Sequence, residues 1–192
     1  IVHRLRYAVD AVLTGVGTVI TDNLLLKCRL DGNIDKQPIR IILDSTLRIP
    51  FNSRLLQDKG SKIIVVTTEK CNLKRAEKLK GMGIEVLSAP LYGERIDIRW
   101  LLKHLGEREI ASILVEGGSS VITSFVELGL VDKFVVFVAP KIVGGIGAPT
   151  PVAGEGAERM EQAFLLKDIE VSKIGNDVMI IGYPKKQSWQ NN

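Results

Sequence analysis

The sequence predicts one α/β domain with a mixed, mostly parallel sheet, flanking helices and a C-terminal antiparallel hairpin. The 192 residues are 45% hydrophobic and 25% charged, which suits a single globular domain with its own core. Apolar, β-branched runs alternate with helical patterns between residues 62 and 138. Residues 164–174 and 177–183 are predicted as two further strands joined at Gly175-Asn176, as in an antiparallel hairpin.

The first third of the chain contains a short helical segment that carries Arg6, followed by three predicted strands. The strands are 10–14, 39–43 and 62–66. Their continuous apolar runs are typical of strands covered on both faces. Gly15-Val16-Gly17 follows the first strand, but Ile20 occupies the third glycine position of a dinucleotide fingerprint. We expect no amphipathic helix before Asn23, which also argues against that motif.

Helices and strands then alternate, which predicts a largely parallel sheet. Asn72 caps a predicted helix through Lys80, with Leu73, Ala76 and Leu79 along one stripe. Asp97 caps a second helix that ends at Gly106, and a third begins at 117–120. The intervening strands are 84–87, 112–115 and 133–138. Residues 142–156 are rich in Gly and Pro and predict a loop, and 185–192 form a polar tail beyond a domain of residues 1–184.

Composition excludes several classes of protein. The net charge is +4, from 26 basic against 22 acidic residues, and the basic residues are scattered, so we expect no nucleic-acid partner. The apolar runs are too short to span a membrane, and no secretory leader opens the chain, so we expect a cytoplasmic protein. Two distant cysteines and two isolated histidines predict neither a disulfide nor a bound metal.

The residues that follow the predicted parallel strands are the candidate ligand contacts, because open α/β sheets bind ligands at this edge. They are 14–18, 44–45, 67–68 and 116–120. These hydroxyls, glycines and carboxylates suit phosphates and ribose hydroxyls. They do not include a nucleophile with its base, and we assign no catalytic residue.

Residues 116–120 are the most informative of these segments. Gly117 and Gly118 let a ligand approach the backbone, and the following helix presents N–H groups that favour a pyrophosphate. Ser119 and Ser120 add hydroxyl donors. The spacing alone is equally compatible with a tight turn and an ordinary helix cap. Residue type and position alone favour the interpretation that three other charged residues, Arg6, Asp22 and Arg29, lie on the surface without a binding role.

Taken in order, the motifs resemble the reductase domain of riboflavin biosynthesis over residues 3–183. The matching segments are 3–6, 10–19, 22–23, 37–45, 47–50, 114–118, 129–132 and 139–145. The resemblance implies a dihydrofolate-reductase-like fold, a homodimer and NADPH as cofactor. It also implies a reaction in which the ribosylamino group of a pyrimidine 5′-phosphate becomes ribitylamino, by hydride transfer to the C=N carbon of the ring-opened sugar.

The resemblance also implies roles for individual residues. Thr18, Asp22 and Ser45 match cofactor contacts, and the stretch 118–124 matches the segment that wraps the cofactor phosphates. With the glycine turn, this stretch supplies the expected contacts Gly117, Gly118, Ser119, Ser120 and Val121. The matching substrate contacts are Arg6, Leu26, Arg29 and Glu116. Thr67 is a further cofactor contact that we infer only from its place at a strand end.

The sequence departs from the family pattern at three points. A strand that precedes the Arg6 helix in the family is absent from the sequence, and we expect it upstream. Leu24 replaces a usual proline and Lys27 a common threonine, so we expect a differently shaped substrate loop. A deaminase zinc motif is absent too, so the reductase either stands alone or follows a fused deaminase domain, and the substrate is either deaminated or not.

Two other functions stay open. One is a reductase of the same fold that acts on another substrate, such as a pterin. The pair of Arg6 and Arg29 favours a phosphorylated substrate over a pterin, because arginines are natural partners of phosphate groups. The other is a silent nucleotide-binding or dimerisation module, against which the presence of Glu116 and Asp22 argues mildly.

Overall fold

The computed structural model describes residues 1–30, 36–145, 147–148, 150–154 and 156–185. Its helices are α1 (Val2–Ala8), α2 (Val16–Asp22), α3 (Arg54–Gln57), α4 (Leu73–Gly81), α5 (Ile98–Gly106) and α6 (Ser119–Glu127). Its strands are β1 (Ala11–Gly15), β2 (Ile39–Leu43), β3 (Ile63–Thr67), β4 (Glu85–Ser88), β5 (Leu91–Tyr92), β6 (Arg95–Ile96), β7 (Ile113–Val115), β8 (Phe134–Val138), β9 (Leu166–Ile174) and β10 (Asp177–Pro184). The predicted polar tail lies outside the described residues beyond Lys185.

The chain divides into two compact units, Ile1–Ile122 and Thr123–Asn192. The first unit contains a five-stranded sheet in the order β4-β3-β2-β1-β7, and every neighbouring pair is parallel. β1 and β3 are buried along their whole length, as their continuous apolar sequences predict. Because the strands are parallel, their carboxyl ends meet at one edge of the sheet.

Two predicted helix starts are confirmed. The side chain of Asn72 accepts a hydrogen bond from Arg75 N (3.2 Å), and that of Asp97 accepts one from Trp100 N (3.0 Å). Ala76 and Leu79 of α4 are buried, as their spacing predicts. Leu73 is 73% exposed, so its predicted place on the buried stripe is wrong. Steps of three residues drift by about 60° each around a helix of 3.6 residues per turn, so Leu73 lies about 120° from Leu79 and away from the buried face.

The structure corrects the expectation that no amphipathic helix lies between the first strand and Asn23. α2 directly follows β1 and buries Val16 and Val19, which lie three residues apart on one face. Gly17 and the β-branched residues around it disfavour a helix locally, so burial of the two valines in the core outweighs propensity. The short elements α3, β5 and β6 carry too few residues for a periodic pattern to predict them.

The second unit contains a three-stranded antiparallel sheet in the order β8-β10-β9. The predicted hairpin is confirmed, with Asp177 opposite Ile174 and Gly175 in the left-handed region at φ +62°. The expectation that β8 extends the parallel sheet is wrong, because β8 pairs antiparallel with β10. An apolar run specifies a strand but not its partner. The described part of 142–156 contains no helix or strand, as predicted.

The helices in the described ranges include none that is long and apolar enough to cross a membrane.

Candidate active site

The ends of β1 and β7 lie side by side and carry the two most informative sequence segments. The pairing aligns Leu13 with Val115, and Glu116 N donates to Leu13 O at 2.8 Å. This ladder brings the start of α2 next to the Gly117–Gly118 turn. Thr18 and the glycines, which are about a hundred residues apart in sequence, therefore belong to one site.

The Gly117–Gly118 turn forms a small cradle that side chains would fill. Both glycines have left-handed backbones, with φ +73° and +78°. A Cβ atom at Gly117 would lie 3.1 Å from Thr18 Cγ2, and one at Gly118 would lie 3.5 Å from Thr18 Oγ1. Gly15 lies equally close to α6, since a Cβ there would approach Val121 Cγ2 to 2.9 Å.

This cradle fits a phosphate-bearing cofactor. The turn leads into the nine-residue helix α6, whose first residues Ser119 and Ser120 begin next to it. Thr14 Oγ1 is buried and has no hydrogen-bond partner among the described residues. It lies 3.8 Å from the position a Cβ would take at Gly117. An open backbone, a helix start and an unpaired hydroxyl together suit an anionic group.

A cavity of about 260 Å³ lies beside the loop that follows α2. Its lining includes Arg6, Asp22, Leu24, Leu25, Leu26, Lys27, Arg29 and Arg54. The structure thus brings together four residues that the sequence analysis singles out: Arg6, Asp22, Leu26 and Arg29. Four of the described lining residues are cationic and one is a carboxylate. This excess of positive charge favours an anionic ligand.

Arg6 connects the cavity to the glycine turn. Its Nε donates to Glu116 Oε1 (2.8 Å), and its Nη2 donates to Glu116 Oε2 (2.6 Å). Its Nη1 donates to Lys27 O (2.8 Å) in the cavity wall. The side chains of Arg6 and Glu116 are 13% and 21% exposed, so the pair is only partly screened by water. The two predicted substrate contacts are therefore partners of each other.

A second ionic network holds the cavity loop from behind. Asp58 accepts from Lys27 Nζ (2.6 Å) and from Arg40 Nη1 (2.7 Å). Arg40 is fully buried on β2 and also donates to Asp58 O and Ser61 O. Burial by itself raises the pKa of the Asp58 carboxyl, but Lys27 and Arg40 outweigh it, so this pKa is lowered.

The loop itself has an unusual backbone. Asn23 and Leu26 occupy the left-handed region, at φ +44° and +52°. A leucine there costs about 1–2 kcal/mol, so the surroundings must hold it. The side chain of Gln37 exchanges two hydrogen bonds with the backbone of Cys28, at 2.9 and 3.0 Å. Asn23 Oδ1 accepts from Arg54 N at 2.9 Å, which ties the start of α3 to this loop.

Ser45 and Thr67 lie at the ends of β2 and β3 and do not line this cavity. Thr67 is buried and its hydroxyl donates to Ser45 O at 3.0 Å, as does the hydroxyl of Thr68. Their predicted cofactor contacts stay predictions. Near the ends of β3 and β4 is a second cavity of about 400 Å³, with Glu69 and Ser88 in its wall.

Several residues of the site carry no signal in the sequence. Arg54 and Asp58 look like ordinary surface charges on a loop, and the burial of Arg40 contradicts its residue type. Lys27 is visible only as a departure from the family pattern. Thr14 looks like one more β-branched strand residue. In the described parts of the chain, no group of three or more His, Cys, Asp and Glu side chains is placed to hold a metal ion.

Comparison with known proteins gives a consistent family. The sequence model of the RibD C-terminal domain matches residues 1–180. The chain is 38% identical over 179 residues to riboflavin biosynthesis protein RibD of Actinobacillus pleuropneumoniae, covering 93% of this chain and 47% of that protein. It is also 38% identical over 165 residues to the 2,5-diamino-6-ribosylamino-4(3H)-pyrimidinone 5′-phosphate reductase of Aquifex aeolicus, covering 86% and 72%.

The fold agrees with the sequence comparison. The structure of Acinetobacter baumannii RibD is similar with a TM-score of 0.80 at 26% identity, over 96% of this chain and 49% of that one. The likeness to RibD structures confirms the predicted dihydrofolate-reductase-like fold. The chain spans about half the length of the RibD relatives it matches. On the extent of the family match and the identity to these relatives, the chain belongs to the RibD C-terminal domain family.

Proposed function

We propose that this chain is a reductase of riboflavin biosynthesis, which converts the ribosylamino group of a pyrimidine 5′-phosphate to ribitylamino with NADPH. The observation that carries the proposal is the Arg6–Glu116 pair, which joins a cationic cavity to the glycine turn. A phosphorylated substrate and a phosphate-bearing cofactor can therefore lie side by side. Membership of the RibD C-terminal domain family and the name of the Aquifex relative support the same reaction.

The glycine turn is the proposed cofactor site. Gly117 and Gly118 leave the backbone open, and the N–H groups at the start of α6 face the cofactor phosphates. Thr18 borders the turn and offers a hydroxyl. When bound, NADPH supplies the hydride. The protein holds the cofactor so that the hydride and the acceptor carbon meet at close range. The other proposed contacts are Asp22, Ser45, Thr67, Ser119, Ser120 and Val121.

The cavity is the proposed substrate site. Arg29 pairs with the 5′-phosphate, and Leu26 forms part of the apolar wall. Glu116 accepts hydrogen bonds from the amino groups of the pyrimidine. Arg6 orients Glu116, because two parallel N–H···O bonds fix the plane of the carboxylate. No strongly tuned acid or base is needed for these roles, since they are binding and orientation.

NADPH oxidation by the full-length protein tests the proposal. The substrates are the ribosylaminopyrimidine 5′-phosphate in its deaminated and undeaminated forms, each assayed with NADPH and with NADH. We expect turnover of one form and a higher kcat/KM with NADPH. Turnover of neither form, with NADPH still bound, would contradict the proposal and favour a silent nucleotide-binding module.

We also propose that the protein is a homodimer. The three-stranded sheet of the second unit leaves large apolar side chains exposed on one face, including Val136 (39%), Val138 (48%) and Val171 (66%). Exposed apolar side chains grouped on one sheet suit a surface that another copy covers. Sedimentation equilibrium measures the mass in solution. A monomer mass across the concentrations used for assay would contradict this proposal.

A further inference from the structure

We propose that Arg54 is a specificity-determining residue that binds the phosphate group of the substrate together with Arg29. The inference rests on the function proposed above and adds a residue to its substrate site. Arg54 lies far along the chain from Arg29, yet both line the same cavity. Three features of the structure support this role. The backbone of Arg54 is hydrogen-bonded to the cavity loop, the other two cations of the cavity already have partners within the protein, and the side chain of Arg54 is exposed.

The attachment of Arg54 holds it at the cavity without using its side chain. Arg54 is the first residue of α3, and its backbone N–H donates to Asn23 Oδ1. Asn23 ends α2 in a left-handed conformation, which turns the chain into the cavity loop. The start of α3 is thereby fixed to the loop that carries Arg29. A substitution of the Arg54 side chain leaves this backbone hydrogen bond in place.

The other two cations of the cavity are already engaged. Arg6 uses three of its five N–H donors on Glu116 and Lys27 O. The Lys27 ammonium pairs with Asp58. Within the described ranges, neither Arg29 nor Arg54 has an ion pair through its side chain. The positive charge still available to a ligand is therefore that of Arg29 and Arg54.

Two exposed guanidinium groups at one cavity suit a phosphate better than a carboxylate. Each guanidinium can donate two parallel hydrogen bonds, and a phosphate has enough acceptor oxygens for both. Arg54 is exposed, and no ion pair among the described residues uses its charge, so the stability of the fold does not explain why an arginine occupies this position.

The test compares three variants of the full-length protein: Arg54→Ala, Arg54→Lys and the control Arg48→Ala. Arg48 is an exposed arginine of the same segment and does not line the cavity. We measure kcat and KM for the phosphorylated substrate and for its dephosphorylated analogue, and Kd for NADPH. Calorimetry gives the Kd of ribose 5-phosphate as an independent probe of the cavity.

For Arg54→Ala we expect KM for the phosphorylated substrate and Kd for ribose 5-phosphate to rise about tenfold or more, the range for a lost charge-assisted hydrogen bond. KM for the dephosphorylated analogue, kcat and Kd for NADPH should stay within about twofold. Arg54→Lys should recover part of the loss, and Arg48→Ala should behave like the unmodified protein.

The failures of the two proposals are distinguishable. If the unmodified protein turns over the substrate and Arg54→Ala leaves its KM unchanged, the role of Arg54 is overturned and the reductase function stands. If the unmodified protein turns over neither substrate, the function fails. In that case the calorimetry still decides on Arg54, because equal affinity of the two proteins for ribose 5-phosphate, or no binding to either, overturns its role.

Discussion

Asp58 shows how a single residue stabilises the site from outside it. Its two carboxylate oxygens neutralise Lys27 in the cavity wall and Arg40 in the core. Arg40 has no exposed surface, so it depends on this partner for its charge. The cost of burying the arginine is offset only while the carboxylate is present.

Replacing Asp58 by Ala should lower the free energy of unfolding by about 3 kcal/mol or more, because Arg40 would be left buried without a counter-charge. Urea denaturation measures the change. The control is Glu77→Ala, an exposed position of α4, where we expect a change within about 0.5 kcal/mol. Equal effects of the two substitutions would show that the buried pair has no special role.

Glu116→Gln should weaken substrate binding about tenfold, because the amide keeps the shape but loses the charge that Arg6 and the pyrimidine amino groups face. Affinity for NADPH should change little. Steady-state KM and fluorescence titration of NADPH measure the two effects. A parallel loss of both affinities would count against the assigned substrate role of Glu116.

At the scale of elements, the Gly117–Gly118 turn is positioned by the pairing of β1 with β7. The parallel register brings the end of β7 beside the start of α2. Both positions of the turn have a left-handed backbone that favours glycine, and a Cβ atom at Gly117 would also lie only 3.1 Å from Thr18 Cγ2. At Gly118 the protein itself leaves room for a Cβ atom, so the cost of the left-handed backbone can be separated by experiment from the effect of a methyl group on the cofactor.

Gly118→Ala should raise the Kd for NADPH about tenfold or more, because the added methyl group fills the cradle that the phosphates approach. Gly83→Ala is the matched control. Gly83 has nearly the same φ, +81°, but a Cβ there meets nothing within 4 Å. Both variants should lose about 1 kcal/mol of stability, and only the first should lose cofactor affinity. Unchanged NADPH binding in Gly118→Ala would remove the phosphate-loop assignment.

At the scale of the whole molecule, three ion-paired carboxyls link stability to pH. Hydrogen bonding by Ser112 and Lys36 lowers the pKa of Asp10. Burial raises the pKa of Glu85, but Lys62 and Arg108 outweigh it, so that this pKa is lowered, as it is for Asp58. Each carboxyl therefore favours the folded state most when ionised.

The free energy of unfolding should accordingly be steady near neutral pH and fall as the pH drops below about 4 to 5, through the lowered pKa values of the folded state. In that range the unfolded chain takes up protons before the folded one. Urea denaturation across about pH 3 to 7 measures the curve. Asp10→Asn should flatten it, while a curve that rises toward acid pH would contradict the assignment.

The sequence by itself determined the local features of this protein. Continuous β-branched runs predicted the buried strands β1 and β3, side-chain caps predicted the starts of α4 and α5, and Gly175-Asn176 predicted the hairpin. Each depends on residues that are close in the chain, where periodicity and capping act. The ordered motifs predicted the family for the same reason.

Only the tertiary structure decided which distant groups meet. It paired β8 with β10, joined Arg6 to Glu116 and brought Arg54 to the cavity of Arg29. It also made α2 helical through the burial of two valines. Strand partners and ion pairs between remote residues form only when distant parts of the chain pack together, so no local sequence pattern predicts them.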